Sequence, residues 1–221
     1  MELRFRRLLF YSVWFFLLLL PFYIVFNNLD IQNLLSNSLV LINTFQRLSG
    51  SLAFVLLFSQ IVIGSNMDWW VQAIGAKAYK IHITQGLCIY ALVLIHPVLY
   101  LVFNYQTNND LVQTLLAILP TFATNSETLI TFGKIALITL TITVSAAYFR
   151  TNTFFRRNWR YFHLLNYLVF YLVFLHARVG TDFDSPVFYS LYLAAFFFIS
   201  ATLIYKLVKL LRLKDLVKSK I

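Results

Sequence analysis

The sequence predicts an all-α integral membrane bundle of six transmembrane helices with both termini in the cytoplasm. Three observations lead to this prediction. The 221-residue chain is 60% hydrophobic and only 12% charged, whereas soluble domains carry about a quarter charged residues. The apolar residues form blocks of roughly 20, the length that spans a bilayer as a helix. The basic residues fall in alternate connections between these blocks.

The apolar blocks give the six helices in order. The first follows Arg4, Arg6 and Arg7, as a signal peptide would, but it is longer than the roughly 7–15 apolar residues of a signal and no cleavage site follows it. We therefore expect it to be retained as a helix. The six blocks are roughly Leu8–Phe26, Thr44–Gly64, Ile81–Phe103, Leu129–Phe149, Tyr161–Arg178 and Pro186–Val208.

The distribution of basic residues predicts the orientation. In a six-span arrangement one side holds 15 of the 18 Lys and Arg residues, whereas the other has only Arg47, Lys134 and Arg178, close to helix ends. Cytoplasmic loops carry the excess of basic residues, so both termini are predicted to be cytoplasmic. The 15 are Arg4, Arg6, Arg7, Lys77, Lys80, Arg150, Arg156, Arg157, Arg160, Lys206, Lys209, Arg212, Lys214, Lys218 and Lys220.

Composition also excludes several functions. The single cysteine, Cys88, rules out a disulfide framework and a cysteine-ligated metal site. The chain has no glycine-rich nucleotide fingerprint and no P-loop. Its net charge of +10 reports topology rather than nucleic-acid binding. We expect one transmembrane domain over residues 1–221, with no soluble flavin or nicotinamide domain. The long connection Asn104–Thr128 is predicted to lie on the membrane surface.

All four histidines lie in two blocks that run in the same direction. His82 and His96 are fourteen residues apart in the third block, and His163 and His176 are thirteen apart in the fifth. They therefore form two levels about 20 Å apart in depth. Fourteen residues keep the first pair within about 40° on one helix face, whereas thirteen leave an offset near 140°. We therefore expect a bend or helix irregularity near His176 or Pro97.

Paired imidazoles at matched depth favour bis-histidine haem ligation. Polar side chains in a bilayer usually mark a functional path, and a neutral imidazole is a good axial ligand for haem iron. Single histidines are common at membrane interfaces and helix contacts, but such a role does not easily explain four histidines in two matched pairs. A metal site would call for clustered carboxylates or thiolates, and a proton path for buried acids, which the blocks lack away from their ends.

The paired spacing, together with the lead-in FFRRNWRYFHLLNY, resembles the ferric reductase-like transmembrane domain over about residues 40–210. That family includes ferric reductases, NADPH oxidases and the haem-binding membrane subunit of the bacterial methionine sulfoxide reductase system. The resemblance implies that His82 and His163 hold an inner haem b, and His96 and His176 an outer one. Tyr100 stands where the oxidase branch has another histidine, which argues against oxygen-reducing chemistry.

Further candidate residues lie near these histidines, and the resemblance adds a role for Arg47. Gly86, one turn after His82, would let a porphyrin approach the helix, although glycine is also common at helix contacts. Arg47 and Arg178 would contact haem propionates or an acceptor on the outer side; the alternative is a snorkelling arginine. Arg160, with Lys80 and Arg157, is a candidate for the inner propionates or for a partner, or serves topology alone.

These expectations describe a transmembrane b-type cytochrome of a bacterial or archaeal plasma membrane. Its donor would be a cytoplasmic flavoprotein reductase or a membrane quinol, so FMN, FAD or quinone would be supplied from outside the chain. Its outer acceptor would be ferric iron or a partner oxidoreductase. Two alternatives stay open: the haem-binding subunit of a methionine sulfoxide reductase-type system, and a non-haem transporter or assembly protein.

Overall fold

The computed structural model describes residues 3–27 and 29–218, with side chains as far as residue 209. Regular structure in this part of the chain is entirely helical. The α-helices are α1 (Leu3–Phe26), α2 (Ile31–Ser36), α3 (Ser38–Ser65), α4 (Met67–Ile74), α5 (Lys77–Asn108), α6 (Leu111–Leu116), α7 (Asn125–Tyr148), α8 (Thr153–His176) and α9 (Pro186–Lys218). Short 3-10 turns cover Phe149–Thr151, Ala177–Val179 and Thr181–Asp184.

Six of these helices are long and apolar enough to cross a membrane, namely α1, α3, α5, α7, α8 and α9. The predicted six-helix bundle is therefore confirmed. Successive membrane-spanning helices alternate in direction, so α5 and α8, the third and the fifth, run the same way because each follows an even number of crossings. We call the end where α1 begins the basic end and the opposite end the acidic end. Of the basic tail, Arg212, Lys214 and Lys218 lie beyond the described side chains, and Lys220 lies outside the described residues.

The helices extend beyond the apolar blocks that predicted them. The predicted fifth span began at Tyr161, but α8 begins at Thr153, so the basic-aromatic lead-in is helical. The cause is local: the side chain of Asn152 accepts a hydrogen bond from the Phe154 N–H, which caps the first turn. At the acidic end, Thr124 and Glu127 form a reciprocal capping box that starts α7.

The helix that contains Pro97 is unbroken there, whereas α8 ends at His176. Helix α5 continues through Pro97 to Asn108, although proline leaves one carbonyl without its helical partner. Helix α8 ends at His176, and the next three residues form a 3-10 turn. The last histidine is thus presented from the final turn of its helix.

The long connection contains α6 and then folds back onto the start of α7. The Thr121 N–H donates to Thr131 Oγ1 at 3.0 Å, and the Thr131 hydroxyl donates to Thr121 O at 2.7 Å. Its apolar side chains point outward; those more than half exposed are Leu111, Val112, Leu115, Leu116, Ile118, Leu119 and Phe122. Such a surface suits contact with lipid, and the surface location stays a prediction.

The core is rich in aromatic residues and lies between α3, α8 and α9. Phe54, Phe170 and Tyr192 are buried, and the rings of Phe174 and Tyr192 stack with centroids 3.8 Å apart. Phe54 stands midway along α3 and Phe170 midway between the histidines of α8. Burial of these large rings fixes the rotation of α8 against α3, and so fixes where its histidines point.

The bundle predicts the side of the membrane on which each connection lies. In a Cys88→Ser background, Ala76→Cys labels the basic end and Ala123→Cys the acidic end; both positions are exposed. If the basic end is cytoplasmic, a membrane-impermeant maleimide added to intact cells labels Ala123→Cys, and labels Ala76→Cys only after the membrane is permeabilised. The reverse pattern would contradict the orientation.

Candidate functional site

Helices α5 and α8 bring the four histidines together as two pairs. The ring centroids of His82 and His163 lie 5.9 Å apart, with the ring planes at 61°. Those of His96 and His176 lie 6.1 Å apart, at 83°. The first pair lies towards the basic end and the second towards the acidic end. We refer to them as the basic-end pair and the acidic-end pair.

The pairs face each other between two sets of packed helices. Helix α5 packs mainly on α3, and α8 mainly on α7. Helix α5 has only Ala78, Gln85 and Ile89 buried along its 32 residues. The imidazoles therefore meet across a seam that the two sets of helices leave open, rather than inside the aromatic core.

The acidic-end imidazoles are both anchored to main-chain carbonyls. His96 Nδ1 lies 2.9 Å from the carbonyl oxygen of Gln46, and His176 Nδ1 lies 3.1 Å from that of Leu129. A carbonyl only accepts, so Nδ1 carries the hydrogen in each ring. The lone pair is then on Nε2, which is the tautomer that a metal-ligating histidine needs.

Glycines make these anchors possible. A Cβ built on Gly50 would lie 2.9 Å from His96 Cε1, and one built on Gly133 would lie 2.7 Å from His176 Nδ1. Gly50 follows Gln46 by four residues, and Gly133 follows Leu129 by four. A helical side chain covers the turn that precedes it. Glycine at this spacing leaves the carbonyl open, and the imidazole occupies the space.

The basic-end histidines are held differently, because carboxamide side chains donate to their main-chain carbonyls. Gln60 Nε2 donates to the main-chain oxygen of His82 at 2.7 Å, and Asn166 Nδ2 donates to that of His163 at 3.0 Å. Thr143 in turn donates its hydroxyl hydrogen to Asn166 Oδ1 at 3.2 Å. Gly64 faces this pair, since a Cβ there would lie 2.9 Å from His82 Cε1. His82 Nδ1 is buried with no hydrogen-bond partner.

The structure places Gly86 against Gln60. Within 4 Å, a Cβ on Gly86 would meet only the side chain of Gln60, with Nε2 at 3.0 Å. The contact of Gly86 with a porphyrin stays a prediction. Gly86 uncovers the His82 carbonyl four residues earlier, and Gln60 reaches that carbonyl through the gap. Its influence on His82 is indirect.

Arg47 makes an ion pair that the sequence did not indicate. Its guanidinium donates through two nitrogens to both carboxylate oxygens of Asp182, in the 3-10 turn before α9. A bidentate pair of this kind fixes geometry as well as charge. Arg47 therefore ties α3 to the turn that follows α8. It follows Gln46, the residue whose carbonyl holds His96.

The remaining basic candidates are exposed and lie at the two ends of the bundle. Arg178 belongs to the turn just after His176, at the acidic end. Arg160, Lys80 and Arg157 lie at the basic end. Among the described side chains none of these four makes an ion pair. The structure leaves them available to a ligand or partner and assigns them no contact.

Each histidine pair stands without further protein ligands. No group of three or more histidine, cysteine, aspartate or glutamate side chains that could hold a metal ion occurs among the residues that the structure describes. A pair of imidazoles supplies two ligands and no charge. Whatever binds between them must bring its remaining ligands with it.

Six apolar helices thus carry two levels of facing imidazoles, an architecture that fits a component of membrane electron transfer. The comparison with known families agrees, because the family model described as ferric reductase like transmembrane component matches residues 49–174, more than half of the chain. The chain belongs to this family. It is an integral multi-pass membrane protein and a component of membrane electron transfer. The match includes His82, His96 and His163 and ends two residues before His176. No curated protein and no solved structure matched the chain.

The glycine contacts predict that a glycine-to-alanine substitution, which normally stabilises a helix, destabilises this protein. Alanine normally stabilises a helix relative to glycine by about 0.5–1 kcal/mol. At Gly133 the new methyl group would overlap the His176 ring, and overpacking costs about 1–3 kcal/mol. We therefore expect Gly133→Ala to lower the midpoint of thermal unfolding in detergent.

Gly180→Ala is the matched control. Its Cβ would meet only the Ala177 oxygen, at an ordinary 3.4 Å, so a change within about 0.5 kcal/mol is expected. A rise in the unfolding midpoint of Gly133→Ala would contradict the contact.

Proposed function

We propose that the protein is a transmembrane b-type cytochrome that carries electrons through two haems, one held by each histidine pair. The observation that supports this proposal most is the presence of two isolated imidazole pairs at two depths. Each pair would hold one haem through two imidazole nitrogens, and the porphyrin would supply the ligands that the protein lacks.

The spacing of the rings fits one iron ion between each pair. A histidine nitrogen binds a metal ion at about 2 Å, and the ring centre lies a little more than 1 Å behind that nitrogen. Two rings on opposite sides of one iron therefore have centres about 6 Å apart, close to the observed 5.9 and 6.1 Å.

When bound, bis-histidine haem would supply a one-electron carrier with both axial positions filled. The chain itself would fix the positions and tautomers of the ligands. The Gln46 and Leu129 carbonyls hold the hydrogen on Nδ1 in the acidic-end pair and so leave the lone pair on Nε2. The surrounding apolar helices exclude water and ions, so that charge would cross the bilayer only as electrons.

The proposed direction is from the basic end to the acidic end. We propose the basic end as the cytoplasmic side of a bacterial or archaeal plasma membrane, with a flavoprotein reductase or a membrane quinol as donor. Lys80, Arg157 and Arg160 are exposed there and would meet the donor or the haem propionates. At the acidic end, Arg178 would meet ferric iron carried by an anionic chelator, or a partner oxidoreductase.

Single histidine substitutions test the ligand pairs. We expect His96→Ala to remove one of two haems, because the remaining imidazole, His176, cannot fill two axial positions. His163→Ala should remove the other haem, and the double variant both. The measurement is the ratio of haem to protein, taken with the reduced-minus-oxidised spectrum of protein made with ample haem.

The outcomes separate the classes of function. Protein that lacks any haem spectrum although haem was supplied would exclude the cytochrome and leave a non-haem transporter or assembly protein. An unchanged ratio of haem to protein in His96→Ala would contradict the pairing. Replacement of Trp69, an exposed residue at the basic end that touches neither pair, by phenylalanine should leave the ratio at two.

A further inference from the structure

Two buried polar atoms beside the basic-end pair lack partners, and they belong to residues already in contact. One is His82 Nδ1 and the other is Gln60 Oε1. The same glutamine donates from Nε2 to the His82 carbonyl. Buried polar groups are almost always hydrogen-bonded. Two unpartnered atoms on residues in contact therefore indicate a hydrogen bond that forms in another state of the protein.

The two unpartnered atoms are chemically complementary. If His82 binds a metal through Nε2, its Nδ1 carries a hydrogen and needs an acceptor. An amide oxygen such as Gln60 Oε1 only accepts. The acidic-end pair shows the completed form of such an anchor, with Nδ1 on a carbonyl oxygen in both rings. The basic-end pair has the donor and the acceptor but not the bond.

The main-chain alternative is not formed at this level. Gly64 stands four residues after Gln60, the spacing that opens a carbonyl to the imidazole at Gly50 and Gly133. Here, however, the ring turns Cε1 towards Gly64 at 2.9 Å, while Nδ1 is 3.7 Å from the position of a Cβ. The side-chain oxygen of Gln60 is the unused acceptor.

We propose that Gln60 is the positioning residue of His82: its amide nitrogen holds the His82 main chain, and its Oε1 accepts the Nδ1–H when haem is bound. This inference rests on the proposed function. Gly86 contributes to this arrangement, because the Cβ of an alanine there would lie only 3.0 Å from Gln60 Nε2. The acidic-end pair uses main-chain acceptors, whereas Gln60 offers the basic-end pair a side-chain acceptor that a substitution can remove.

An acceptor on Nδ1–H makes the imidazole a stronger donor to iron and favours the ferric state. Gln60→Met keeps the length of the side chain and removes the acceptor. In redox titrations of the two-haem protein, we expect one midpoint potential to rise by an amount equal to about a tenfold change in the ratio of oxidised to reduced haem, which is about 59 mV for one electron. The other midpoint should stay in place.

Two further variants separate positioning from packing. Gln85→Met removes another buried amide of the same region, which bonds Trp14 and Ser59 but no histidine, and should move neither midpoint. Gln60→Glu loses the amide donor but keeps an oxygen acceptor, so its midpoint should equal the wild-type value or lie below it. A rise in Gln60→Glu as large as that in Gln60→Met would overturn the acceptor role.

Failure of this inference is distinguishable from failure of the proposed function. If the wild-type protein binds no haem, the proposed function is wrong. If it binds two haems and Gln60→Met moves neither midpoint, the acceptor is the main-chain carbonyl of Gln60 or none, and only the positioning role is overturned. Equal movement of both midpoints would also overturn it, because Gln60 contacts one pair alone.

Discussion

The site depends on the contact between an imidazole and a helix backbone carbonyl that a glycine leaves uncovered. Gly50 and Gly133 remove the side chains that would cover two carbonyls, and His96 and His176 occupy those spaces. Each contact fixes a ring's position, its tautomer and the distance between two helices in one step. It also explains why α5 packs on α3, and α8 on α7, while the seam between the two sets stays open.

The two histidine pairs of the proposed redox path make hydrogen bonds to different kinds of group. Main-chain carbonyls accept from the imidazoles of the acidic-end pair, whereas carboxamide side chains donate to the main-chain carbonyls of the basic-end pair. Main-chain anchors are rigid because the helix holds them, whereas an amide side chain can rotate between partners. The Arg47–Asp182 pair adds a further tie at the acidic end. The level proposed to face the donor is thus the more adaptable one.

Much of this could be predicted from the sequence because it depends on position along a helix. Block length gave the six spans, and spacing placed the histidines at shared depths. Contacts between helices depend on how each helix is rotated about its own axis, and the sequence of one apolar block does not show that rotation. Gly86 was chosen because it shares a helix with His82, yet it faces Gln60. One signal was available: Gly50 and Gly64 are fourteen residues apart on an antiparallel helix, as are His82 and His96. Arg47 and Asp182, 135 residues apart, left none.

We propose that electrons cross the membrane through both histidine pairs in series. Sealed vesicles that contain the haem-loaded protein, with ferricyanide trapped inside and a membrane-impermeant reductant outside, would measure this transfer. We expect the wild-type protein to reduce the trapped ferricyanide, and His96→Ala or His163→Ala to fall to the rate of protein-free vesicles. Reduction at the wild-type rate by either variant would show that the two pairs do not act in series.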